Sequence, residues 1–95
     1  MWPIPEQNLV KTRRDPSLPF QEVEGRAVVV VPSRRELHDL DEVATLLWRE
    51  LAEPRSVDDL AQAVCEEFDV EPADAAKDVR RFLALLAEKG LVLPA

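Results

Sequence analysis

A chain of 95 residues with 46% hydrophobic and 33% charged side chains has room for one domain around one modest core, which excludes disordered and fibrous classes. Its net charge of −7 divides into +2 over residues 1–35 and −9 over residues 36–95, which argues against nucleic acid, since phosphate-backbone affinity rests on clustered Lys and Arg. The single Cys65 cannot close an internal disulfide, no secretory segment opens the sequence, and the longest apolar run, Ala27 to Pro32, is far too short for a bilayer, so a cytoplasmic protein without a membrane partner is expected.

Pro3, Pro5, Pro16 and Pro19 exclude helices from residues 1 to 20, and the loose alternation of Asn8 to Arg14 fits a first strand. Phe20 to Glu24 alternates, and Gly25 supplies a flexible point before Arg26 to Pro32, which together predict a hairpin. The run Ala27-Val28-Val29-Val30-Val31 is β-branched after its first residue and apolar on both faces, so its second face needs a cover. From Glu36 the period reads as helical, and three amphipathic helices are expected with no further strand before the last residues.

The first of these helices runs from about Glu42 to Ala52, capped by Asp41, with Val43, Leu46, Leu47 and Leu51 on its buried stripe and Trp48 flanking it. Ser56-Val57-Asp58-Asp59 opens the second in the manner of a capping box, and Val57, Leu60, Ala61, Val64 and Phe68 form its stripe. The third starts near Pro72 and ends at Gly90, with Ala75, Ala76, Val79, Phe82, Leu83 and Leu86 as its core face. Leu85 does not fit, lying about 120° from the centre of that face.

Catalytic and metal chemistry finds little material. His38 has no nucleophile motif around it, and Cys65 on the edge of the second helix's stripe reads as a small buried hydrophobe. One Cys and one His, 27 positions apart, do not supply a zinc site, and two glycines cannot build a phosphate-binding loop, so no cofactor and no metal are expected.

Three stretches carry a family likeness: Gly25-Arg26-Ala27-Val28-Val29-Val30-Val31-Pro32, then Leu40-Asp41-Glu42-Val43-Ala44-Thr45-Leu46-Leu47-Trp48, then Ser56-Val57-Asp58-Asp59-Leu60. With the closing segment Asp78 to Leu91, the chain resembles a PqqD-like protein over about Leu9 to Val92. One departure is Asp41, where the family commonly has Asn; both residues cap helices well.

The resemblance implies a RiPP recognition element, an α+β, winged-helix-like unit with a three-stranded antiparallel sheet followed by three helices. It further implies a peptide chaperone with no catalytic role. The leader of a ribosomally made precursor peptide would add as a strand beside the third strand and the third helix, while a modifying enzyme acts on the same peptide. That enzyme is a radical SAM protein in the pyrroloquinoline quinone pathway. On this resemblance the peptide-binding residues are Val28, Val29, Val30 and Val31 of the receiving strand with Asp78, Arg81, Phe82 and Leu85 of the third helix, and a homodimer is compatible with it. The competing reading is a winged-helix transcription regulator, which would need a basic recognition helix that these acidic helices do not offer.

Overall fold

The computed structural model describes residues 10–95, so Pro3, Pro5 and the first part of the expected Asn8–Arg14 strand lie outside the described residues. Glu24 and Gly25 both adopt positive φ, 53° and 79°. A two-residue turn of that kind matches the right-handed twist of the strands it joins. It closes the expected hairpin between β2 (Phe20–Val23) and β3 (Arg26–Val31), registered from Phe20 opposite Val29 to Val23 opposite Arg26.

The helical period expected from Glu36 is corrected by the structure. A 3₁₀ turn at Pro32–Arg34, followed by Arg35 in the left-handed region at φ 53°, reverses the chain into β4 (Glu36–Asp39). This strand pairs antiparallel with β3, from Val31 opposite Glu36 to Val28 opposite Asp39. The three-stranded antiparallel sheet therefore has the order β2-β3-β4. Residues 12–14 of the expected first strand form β1 (Thr12–Arg14), which joins β5 (Val92–Pro94) in a separate two-stranded sheet.

Three helices follow the sheet, as expected: α1 (Glu42–Glu50), α2 (Val57–Glu67) and α3 (Pro72–Glu88). Asp41 accepts the Ala44 N–H at 2.8 Å and starts α1. Ser56 and Asp59 complete a reciprocal capping box for α2, each side chain accepting the other's backbone N–H, at 3.1 Å and 2.9 Å. Pro72 occupies the first turn of α3, where its missing N–H leaves no helix bond unmade. Gly90, at φ 76°, follows the C-cap Lys89.

The core lies between the inner face of the sheet and the helices, and alternation sends Ala27, Val29 and Val31 into it. The buried stripe of α1 is rotated from the expected one. Ala44, Thr45, Leu47 and Trp48 are buried, whereas Val43 and Leu46 are only partly so. Trp48 is wholly enclosed, with Phe20 meeting it edge-on at 5.7 Å between centroids. The Arg14 guanidinium lies 4.6 Å from the centre of the Phe20 ring and donates to the Trp48 carbonyl at 3.0 Å.

Candidate functional site

Hydrogen-bond phase decides which edge of the sheet is open. The Val30 N–H donates to the Pro19 carbonyl at 2.9 Å and the Leu40 N–H to the Ala27 carbonyl at 2.8 Å. In an antiparallel ladder bonded and non-bonded pairs alternate, so even-numbered residues of β3 bond toward β2 and odd-numbered ones toward β4. The partners of Val29 and Val31 are His38 and Glu36. Leu37 and Asp39 consequently turn their N–H and C=O groups away from the sheet, leaving two donors and two acceptors along the outer edge of β4 with no strand partner among the described residues. The opposite edge, β2, begins after Pro19 and carries Glu22, which is held by an ion pair to Arg49 of α1.

Beside the open edge runs a groove of about 440 Å³. Leu37, His38, Asp39 and Leu40 form one wall, and Phe82, Leu85 and Leu86 of α3 with its C-cap Lys89 form the other. Arg26, Asp41 and Ala44 also border it. Leu40, Ala44 and Leu86 are buried within it, while Leu37 and Leu85 stand at the rim, 65% and 45% exposed. Charge of both signs marks it: Arg26 lies 3.8 Å from Asp39 and donates to the Leu40 carbonyl at 3.2 Å. His38 Nε2 is 3.3 Å from a Glu36 carboxylate oxygen, and its side chain is only 15% exposed.

Of the residues expected to bind a peptide, Phe82 and Leu85 meet in this groove. The assignment of Val28–Val31 as the receiving strand is corrected. β3 is central, with β2 on one side and β4 on the other, and has no free edge to offer. Val29 and Val31 are core residues, and Val28 and Val30 face outward on the other side of the sheet. Asp78 and Arg81 are exposed on α3 but are not among the lining residues, Asp78 lying one turn before Phe82. Leu37, His38, Asp39, Arg26 and Lys89 are the groove residues that sequence reasoning missed. The signal for them was the proline-led turn at Pro32–Arg35, which divides the Val run from a second strand.

Among the described residues no group of His, Cys, Asp and Glu is arranged to hold a metal ion. The Cys65 thiol donates to the Val70 carbonyl at 3.4 Å, and the ring contact of His38 is to a carboxylate, not to a nucleophile. Local hydrogen bonds displace pKa values elsewhere in the fold. Asp15 is lowered first by the Ser17 hydroxyl and then by its N–H. Glu22 is lowered and Arg49 raised chiefly by their mutual hydrogen bond, and Asp59 is lowered mainly by the Ser56 N–H. None of the four lines the groove.

A family model described as coenzyme PQQ synthesis protein D (PqqD) matches residues 26–92. The chain belongs to the PqqD family. The matched span begins at β3 and includes both walls of the groove, so the open edge and its facing helix fall within the PqqD portion. No curated protein matches this PqqD-family chain.

Three solved structures share the PqqD-type fold. TbiB1 in complex with the TbiA(beta) leader peptide is 24% identical with a TM-score of 0.77, over 84% of this chain and 93% of that one. A lasso peptide synthetase B1 complexed with the leader peptide is 28% identical with a TM-score of 0.76, over 87% and 98%. The solution structure of the PqqD truncation of Methylobacterium extorquens PqqCD, described as a functional and stand-alone RiPP recognition element, is 24% identical with a TM-score of 0.71, over 87% and 88%.

Proposed function

We propose that this PqqD-family chain holds the leader of a ribosomally synthesised precursor peptide as an extra strand along Leu37–Asp39 and presents the rest of the peptide to a separate modifying enzyme. The observation that carries the reading is the outward N–H and C=O groups of Leu37 and Asp39 beside a groove walled by Phe82 and Leu85. Strand addition takes its affinity from main-chain bonds and its specificity from side-chain pockets at alternate positions. Four bonds at about 1 kcal/mol net each supply part of the affinity, and apolar side chains entering between Leu40 and Leu86 supply the rest. The 28% identical lasso peptide synthetase B1, described as complexed with a leader peptide, supports the same use of the fold here.

On this reading the chain makes and breaks no covalent bonds, and the chemistry belongs to the partner, for which a radical SAM enzyme is the family's precedent. The test is fluorescence anisotropy with labelled synthetic peptides, each the N-terminal leader of a short open reading frame found near the gene for this chain. Asp39→Pro removes one outward N–H while sparing the bonds to β3, a substitution that an edge strand tolerates. Its expected effect is roughly a fivefold loss of affinity, equivalent to about 1 kcal/mol. Unchanged binding by a folded Asp39→Pro, Leu85→Glu double variant would place the peptide elsewhere.

A further inference from the structure

The groove leaves one apolar surface unused. Alternation turns Val28 and Val30 of β3, Val23 of β2 and Leu37 of β4 away from the core, where they border a depression of about 330 Å³ across all three strands. Val23 and Leu37 are 54% and 65% exposed. Contiguous exposed apolar side chains of this kind mark contact surfaces. Leu37 borders both this depression and the groove, so the two adjoin there. A strand added along β4 widens the sheet, and every second side chain of that strand projects on this same outer face. The peptide thereby becomes part of the surface.

A second copy of the chain is a poor occupant. It brings another net charge of −7 to the contact, and four side chains fall well short of the roughly 20–30 residues a side found in stable interfaces. A transient partner that also touches the peptide suits the surface better. We propose that the outer sheet face formed by Val23, Val28, Val30 and Leu37 is where the modifying enzyme docks through apolar side chains, and that it grips the peptide-loaded chain more tightly than the empty one. This rests on the strand-addition reading.

The experiment uses the full chain, the same synthetic leader and an enzyme that modifies that leader's precursor peptide. Val23→Lys lies on the strand farthest from the groove, and Val28→Thr keeps a β-branched residue; each is made singly and combined. The combined variant is expected to bind the labelled leader within twofold of the wild type. Its affinity for the enzyme at saturating leader, measured by biolayer interferometry, is expected to fall at least tenfold. The wild-type chain should bind enzyme at least threefold more tightly with leader than without. Enzyme affinity unchanged in a variant that still binds leader overturns the docking surface alone. A wild-type dimer that Val23→Lys dissociates overturns it in favour of a second copy. Absence of leader binding by the wild type overturns strand addition itself, and this proposal with it.

Discussion

The backbone N–H of Ala27 donates to Oγ1 of Thr45 at 2.9 Å, and the same hydroxyl donates to the Leu40 carbonyl at 3.3 Å. One buried side chain of α1 thus stands between β3 and the exit of β4, taking over at the point where the ladder ends. Thr45→Val keeps the volume but leaves the buried Ala27 N–H without an acceptor, and is expected to cost about 1–3 kcal/mol. Urea denaturation should show a lower midpoint at unchanged slope, and Thr45→Ser should recover most of the loss.

Leu85 and Arg81 sit one turn apart on α3, and the structure separates them. Leu85 borders the groove and Arg81 does not. Leu85→Glu is expected to weaken leader binding about tenfold or more, equivalent to 1.4 kcal/mol. Because Leu85 is already 45% exposed, its effect on stability should stay near 0.5 kcal/mol. Arg81→Glu should change leader affinity by less than about twofold, the size of a solvent-screened charge contact. Titration of both variants with the same labelled leader distinguishes them.

Gly90 closes α3 at φ 76°, and a Cβ built there would stand 3.1 Å from a guanidinium nitrogen of Arg34. That guanidinium donates to the Glu88 carbonyl at 3.1 Å and so caps the helix from the β3–β4 connection. Gly90→Ala is expected to cost about 1–2 kcal/mol from the left-handed backbone alone, with displacement of Arg34 adding to it. Since both changes disturb one contact, the Gly90→Ala, Arg34→Ala double variant should lose less than the sum of the singles in thermal unfolding.

The Ser56–Asp59 capping box gives the fold an acid-sensitive point. The Ser56 N–H, more than any other contact, holds the Asp59 carboxyl below its ordinary value of about 3.9. A carboxyl lowered in the folded state adds stability that is present above that ordinary value and is lost as pH falls through the lower, folded value. Asp59→Asn should therefore reduce the decline in stability as pH falls below about 4, and have its main effect above that point. Ser56→Ala, which removes the other half of the box, should cost about 1 kcal/mol at neutral pH. Denaturation midpoints across the pH range check both.

The helices were legible because their ends are chemically marked: Asp41, Ser56 with Asp59, Pro72 and Gly90 all stand where they were expected. The Glu24–Gly25 hairpin was equally plain. What misled was β4. Its four residues carry one apolar side chain, Leu37, and that one faces solvent, so the alternation that normally betrays a strand is missing. Reading Ala27–Val31 as an edge followed from that omission, since a strand without a second neighbour has a free edge. Leu85 was recognisable as a residue without a core partner, yet its place at the rim of a groove depends on β4 lying opposite, which helical spacing alone does not reveal. The rotation of α1 toward Trp48 has a similar origin, because Thr45 is buried by a tertiary hydrogen bond and not by hydrophobicity.

The pairing of β1 with β5 sets Thr12 opposite Pro94, and the Ala95 N–H donates to the Lys11 carbonyl at 3.0 Å. The two limits of the described chain therefore leave the fold side by side, one strand spacing apart, or about 4.8 Å. A unit built this way can be spliced into a surface loop of a larger protein, or appended at either end, without prying its host open.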